Sequence, residues 1–284
     1  MDVNKKINCP GFYDSGPRVF RCWGKHGPMD FFDGMSHSCD VYFYQVAAQT
    51  GSAAIERIER KFMIGRQTGI DLPGEKAGNL YGPTRRARNK TYWFIGDTLN
   101  LSIGQGELLF TPLKMAQFAA AVASRGNVYR PYYVEKIVSN QTGKTEVVGK
   151  TEILQKAELK PETYDLLFKA LKHTVEGGTA GRVWIKGLDV YGKTGTAQNP
   201  HGEDHGWFMA FAGREGEEPS IALAVFVEFG EGGSSAAGPI ARSMLEAYFD
   251  LNKPAAAQVA PKAPERTEED YEELLAEGEE HGSI

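Results

Sequence analysis

Three rhythms of apolar and polar positions run along this chain. The stretch Asp40–Thr50 places Val41, Phe43, Tyr44, Val46, Ala47 and Ala48 at mostly helical spacing, and Gly51 stops it. Ala53–Phe62 repeats the helical rhythm with Ile55, Ile58 and Phe62 on one stripe and charges on the other. Thr111-Pro112 offers a hydroxyl at the N-cap and proline at the first helical position. The nearly all-apolar Leu113–Ser124 follows, predicting a helix buried on several sides until Arg125-Gly126-Asn127 ends it. Lys160-Pro161-Glu162 opens a further helix, to about Val175. The β-rich runs Leu188–Ala197, Gly206–Ala212 and Ser220–Phe229 come next, and Pro239–Leu251 closes the series as an amphipathic helix. Tyr132–Val138 and Thr145–Val148 flank Gln141-Thr142-Gly143, the pattern of a hairpin. Met1–Asp33, rich in Gly, Pro and aromatics, is expected to be irregular, and Gly65–Arg88 loop-like.

After Leu251 the rhythm vanishes. Lys253–Pro264 is Pro/Ala-rich and Glu265–Glu280 strongly acidic, a composition that cannot bury enough apolar area to offset chain entropy. The expected organisation is a body over residues 1–251 and a disordered tail over 252–284. That tail holds nine acids and three bases, so the formal charge of -5 resides in it and the body is nearly neutral. A near-neutral body gives no support to a nucleic-acid partner. Hydrophobic content of 41% suffices for a core. No apolar run approaches the roughly 20 residues of a membrane helix, and the polar Met1–Asn8 does not read as a signal peptide. The chain alone is expected to be soluble, with any membrane anchor upstream of Met1.

Chemistry concentrates in two short motifs. Lys193-Thr194-Gly195-Thr196 follows Ser38-Cys39-Asp40 by about 150 residues, with Gly104-Gln105-Gly106 and Thr111-Pro112 between. A K-T-G element and an S-x-D or S-x-N element are two of the three parts of a serine acyl-transfer site. The third, S-x-x-K, carries the nucleophile, and no serine here is followed three residues later by lysine. A plainer role for Ser38 and Asp40 is capping a helix that begins at Val41.

Together with Thr68-Gly69-Ile70-Asp71-Leu72-Pro73-Gly74-Glu75, the His37–Gln45 stretch, Ser102–Gly106, Tyr191–Gln198 and Trp207–Phe211, these motifs make the chain resemble the class B penicillin-binding proteins, and among them the elongation-specific D,D-transpeptidases of rod-shaped bacteria. The resemblance covers Cys9 to about Leu251. It implies an α/β transpeptidase fold, an antiparallel sheet flanked by helices plus a helical lobe, lacking its N-terminal part. It implies a serine-type enzyme that cross-links peptidoglycan stem peptides by attacking D-Ala-D-Ala, and that binds β-lactams. By this resemblance Ser38 relays protons, Lys193 raises the local potential and draws in the terminal carboxylate, and Thr194 and Thr196 hydrogen-bond that carboxylate. Gly195 admits the acyl chain because it has no Cβ. Asp40 stands where many relatives have Asn; ionised, it only accepts hydrogen bonds. Implied partners are a lipid-linked glycan polymerase and elongation-complex membrane proteins, at the periplasmic face of the bacterial inner membrane. No cofactor is needed for that catalysis. Without S-x-x-K the chain is expected neither to acylate nor to turn over, and a non-catalytic binding or scaffold module is the competing class. A division-specific transpeptidase is the alternative within the enzymes.

All three cysteines precede Asp40. With His26 they give Cys9-x12-Cys22-x3-His26-x12-Cys39, three thiolates and one imidazole suited to a closed tetrahedral zinc site. A Cys9–Cys22 disulfide, three free thiols, and His37 in place of His26 remain open. His201, Glu203 and His205 read as a solvated turn.

Overall fold

The fold was established from a computed structural model, which describes residues 2–251. The acidic tail predicted for 252–284 lies outside them. The described residues up to Leu245 form one compact unit, and Glu246–Leu251 fall in a second.

The N-terminal region departs from expectation. Instead of an irregular loop, it forms two nested antiparallel hairpins of three-residue strands: β1 (Ile7–Cys9) pairs with β4 (Gly27–Met29), and β2 (Phe12–Asp14) with β3 (Val19–Arg21) between them. Strands this short show no readable alternation, and their ladders are too brief to hold alone. Then come α1 (Phe31–Ser36), α2 (Asp40–Thr50) and α3 (Ser52–Lys61). The α2 helix starts at Asp40, with Cys39 at the N-cap and no side-chain cap, so neither Ser38 nor Asp40 caps it.

The predicted stripe of α3 is also corrected. Ile58 is exposed, whereas Glu56 is buried. Glu56 accepts from the Arg60 guanidinium and from the backbone N–H of Thr84 at 3.0 Å. Thr84 lies in the first turn of α4 (Pro83–Arg88), a short helix inside the segment expected to be loop. The unpredicted α5 (Ile95–Ser102) begins where Asp97 accepts from the N–H of Phe94 at 2.8 Å. α6 (Pro112–Ala123) starts as read from the sequence, the Thr111 hydroxyl accepting from the N–H of Lys114 at 3.1 Å.

Next, β5 (Asn127–Tyr129) pairs with β8 (Ile153–Lys156), and β6 (Lys136–Val138) with β7 (Thr145–Val147), the predicted hairpin. After α7 (Pro161–Gly177) comes the main antiparallel sheet of β9 (Leu188–Ala197), β10 (His205–Arg214) and β11 (Ile221–Val227). Its order is β11-β10-β9, so among the described residues β9 pairs with β10 alone. A π-helical turn, Gly233–Ala237, leads into α8 (Gly238–Tyr248).

Helices α6 and α7 pack on the sheet. Phe168, Tyr191 and Phe211, from α7, β9 and β10, meet with all three centroid separations at 4.9 Å. This aromatic knot sits against Phe62, Val122, Val128 and Leu171 and fixes the long strand that carries the K-T-G motif. A second core joins Ile7, Cys9, Cys39, Val41, Tyr42 and Leu99, tying the hairpins to α2 and α5.

Candidate active site

Ser38 lies in the turn between α1 and α2, with φ at +51°. For a residue with a side chain that conformation costs about 1–2 kcal/mol, so neighbouring groups must hold it. The N–H of Ser38 donates to the carbonyl of Met35 at 3.3 Å and that of Cys39 to Gly34 at 2.9 Å. From outside the turn, the indole of Trp23 donates to the carbonyls of His37 at 3.1 Å and Ser38 at 2.9 Å.

Lys193 comes from β9, 155 residues away in sequence, and its ammonium donates to the Ser38 hydroxyl. It also donates to the carbonyl of Thr194 at 3.0 Å. The Thr194 hydroxyl is 2.9 Å from that of Thr179, which lies 3.3 Å from Ser38 Oγ. Further along β9, the Gln105 side-chain amide donates to the carbonyl of Thr196 at 3.1 Å, joining the Gly104-Gln105-Gly106 loop to the K-T-G strand. Ser38, Asp40, Lys193, Thr194, Gly195 and Thr196 all line one cleft of about 1000 Å³.

A glycine not singled out in the sequence shapes this wall. A Cβ on Gly233 would overlap the carbonyl oxygens of Gly195 and Trp207. The π-helical turn therefore reaches the backbone of β9 only because residue 233 has no side chain. At Gly195 the contact is looser: a Cβ there would meet Trp207 Cβ at 3.3 Å.

The cleft alters its ionisable groups. Loss of hydration pulls Lys193 down to about 8, with the charge of Asp40 opposing. Burial pushes Asp40 up to about 7; a negative Cys22 adds to this, while the N–H of Trp23 and the charge of Lys193 work against it. Lys193 thus titrates closer to physiological pH than an ordinary lysine does, still mostly charged there but able to give up its proton.

Beside the cleft, Cys9, Cys22, His26 and Cys39 converge, their donor atoms all within 4.8 Å of one another. Cys9 Sγ and Cys22 Sγ each lie 3.5 Å from His26 Nδ1. Tetrahedral zinc with ordinary Zn–S and Zn–N bonds has an S···N edge of about 3.6 Å, so the donor set fits that ion. All three thiols are unpaired, so the disulfide alternative is not realised. The neighbouring Cys22 and Cys39 thiols act on each other, which lowers the pKa of Cys22 and raises that of Cys39. His37 stands outside the group; it is exposed, with Nδ1 3.1 Å from the carbonyl of Asp33. His26 Nε2 is buried and without a hydrogen-bond partner. The second polar group, His201, Glu203 and His205, does not converge on one point among the described residues. There His205 Nδ1 accepts from the N–H of Phe229 at 3.0 Å.

Sequence reasoning missed Thr179 and Trp23. The signal for Thr179 was faint: one hydroxyl within Gly177-Gly178-Thr179-Ala180-Gly181. Trp23 stood beside Cys22, but nothing in its spacing tied it to Ser38.

Known proteins resemble this chain in sequence and fold. The penicillin binding protein transpeptidase domain family matches residues 1–246. The chain is 29% identical to the peptidoglycan D,D-transpeptidase MrdA of Haemophilus influenzae, over 88% of this chain and 42% of that protein. It is 30% identical to MrdA of Acinetobacter baumannii, over 84% of this chain and 38% of the relative. The chain thus spans about two fifths of the length of these relatives. Among solved structures, penicillin-binding protein PBP2 from Helicobacter pylori superposes with a TM-score of 0.75 at 27% identity, over 89% of this chain and 46% of that one. PBP2 of Pseudomonas aeruginosa in complex with WCK 5153 gives 0.75 at 29%, over 87% and 56%. A lysine and serine in contact across the cleft, an antiparallel sheet with the K-T-G strand at its edge, and a match along nearly the whole described chain place this protein in the penicillin-binding protein transpeptidase family.

Proposed function

We propose that this chain is the cleft-bearing part of a peptidoglycan D,D-transpeptidase of cell elongation, one that receives the D-Ala-D-Ala end of a stem peptide and, in the same place, β-lactams. The contact between Lys193 and Ser38 within a cleft walled by Thr194, Gly195 and Thr196 carries the reading. Lys193 attracts the terminal carboxylate, and the hydroxyls of Thr194 and Thr196 hydrogen-bond to it. Ser38 passes a proton between Lys193 and the reacting atoms, which the lowered pKa of Lys193 permits. The backbone N–H of Thr196 serves as one donor to the developing oxyanion. The acylating hydroxyl of this reaction sits in S-x-x-K, which the 284 residues do not contain. By itself the chain therefore binds without acylating. That absence also favours a second reading, a binding or scaffold module without chemistry. A fluorescent penicillin separates these from an active enzyme: no covalent band is expected on a denaturing gel, and a band would overturn the assignment of the nucleophile. Saturable, non-covalent binding of N-acetyl-D-Ala-D-Ala in calorimetry is expected for the substrate reading, and its absence favours the scaffold.

Cys9, Cys22, His26 and Cys39 hold a structural zinc in this reading, supported by the convergence of their donor atoms. The ion would cross-link the nested hairpins to the turn bearing Ser38, because Cys9, Cys22 and His26 belong to the hairpins and Cys39 directly follows Ser38. About one zinc per chain is expected in metal analysis of the purified protein. In the intact protein the working site is the periplasmic face of the inner membrane, and no helix among the described residues is long and apolar enough to cross a membrane. Partners there are a lipid-linked glycan polymerase and elongation proteins. The Helicobacter pylori PBP2 structure in complex with MreC supports this kind of assembly.

A further inference from the structure

We infer that Thr179 is a positioning residue that closes a hydrogen-bonded ring with Ser38, Lys193 and Thr194, and so sets which way the Ser38 hydroxyl points. The inference deepens the transpeptidase reading and rests on it for the substrate, though not for the ring.

The ring runs from Lys193 Nζ to Ser38 Oγ, then to Thr179 Oγ1, to Thr194 Oγ1, and back through the carbonyl of Thr194 to Lys193. Thr179 itself is anchored, its N–H donating to the carbonyl of Ser36 at 3.0 Å. Both ends of the Ser36–Ser38 turn thus meet one residue, by main chain at Ser36 and by side chain at Ser38.

Donor arithmetic gives Thr179 its task. An ammonium only donates, whereas a hydroxyl gives one hydrogen and accepts others. With Lys193 charged, Ser38 accepts from it and must send its own hydrogen elsewhere. The Thr179 oxygen lies within reach. With Lys193 neutral, Ser38 can donate to the amine, and Thr179 can turn its hydrogen toward Ser38. The ring therefore supports both states of a relay without moving a heavy atom. Valine at 179 keeps the shape and removes the oxygen, which withdraws a partner from the charged state above all. The other charged or titratable side chains of the same cleft are Asp40 and Asp204, Arg21 and Arg182, Cys22 and Tyr44, none of them altered by that substitution.

The test uses the full chain, isotopically labelled, with the Lys193 Cε resonance followed against pH in wild type, Thr179→Val, Thr179→Ala and Thr179→Ser. Removal of the oxygen should lower the apparent pKa of Lys193 by about 0.5–1 unit, since one neutral hydrogen bond is worth about that much. Serine should restore it. Binding of N-acetyl-D-Ala-D-Ala should weaken about tenfold in Thr179→Val and recover in Thr179→Ser. An unchanged or raised Lys193 pKa in both Thr179→Val and Thr179→Ala would overturn the ring, as would failure of serine to rescue. If the wild-type chain ignores the dipeptide while Thr179→Val and Thr179→Ala still lower the Lys193 pKa, the substrate reading falls and the ring stands.

Discussion

The two ends of this fold are held by different physics. The sheet of β9, β10 and β11 is stabilised by long ladders and apolar burial: strands of seven to ten residues, an aromatic knot at Tyr191 and Phe211, and the α6 and α7 helices laid on it. The N-terminal hairpins have three-residue strands, with Phe12, Val19 and Trp23 left exposed. Their inner anchors are Ile7 and two of the four converging side chains, Cys9 and Cys39. A large buried area can hold a region through many weak contacts, but a small region needs a few strong ones. Lys193 belongs to the sheet, whereas Ser38 sits in the α1–α2 turn that Trp23 of the hairpin region clamps, so the cleft is only as well set as the weaker region.

The largest expected effect falls on that weaker region. Cys39→Ser, in the zinc reading, should cost about 4–5 kcal/mol. Amide exchange should accelerate over residues 7–29 while β9 and β10 stay protected; uniform acceleration would show that the two regions are one cooperative unit. Phe211→Ala attacks the sheet instead and should cost about 3–4 kcal/mol in a denaturant melt, leaving the metal content of the folded chain unchanged.

Titration should act in opposite directions on the hairpins and on α3, whose C-cap Phe62 packs into the core under the sheet. Burial, with the nearby charge of Glu56, raises Glu59 to about 7, and one of its oxygens is buried without a partner. Between its ordinary value of about 4.3 and 7 the native carboxyl keeps a proton that the unfolded chain has released, so stability falls as pH rises, by about 3–4 kcal/mol in all. Glu59→Gln should flatten that slope. Zinc binding by thiolates and imidazole instead strengthens as pH rises. A melt series from pH 4.5 to 7.5 with exchange read separately for the two regions checks both signs. The smallest effect is expected at their junction: Gly233→Ala should cost about 1–2 kcal/mol by pushing the π-helical turn off β9, and should weaken N-acetyl-D-Ala-D-Ala binding more than it lowers the melting temperature.

What could be read without the structure follows the same division. The helix at Asp40, the Thr111 cap, the β6–β7 hairpin and the three main strands were legible because each is long enough, or carries a strong enough terminal signal, to show its period. The nested hairpins were not, since three residues hold barely one alternation. Nor was the burial of Glu56 over Ile58: amphipathic counting assumes that the apolar stripe faces inward, and here a carboxylate turns inward to serve Arg60 and the first turn of α4.

Local chemistry in the chain determined the family, the K-T-G strand, the S-x-D turn and the four candidate metal ligands, because each rests on residue types at short, fixed spacing. Only the folded molecule decided that Lys193 reaches Ser38, that Thr179 joins them, that Trp23 clamps the strained turn and that Gly233 must be glycine. Those are contacts between residues distant in sequence, and a hydroxyl or a missing Cβ leaves no periodic trace until packing brings its partner within a few ångströms.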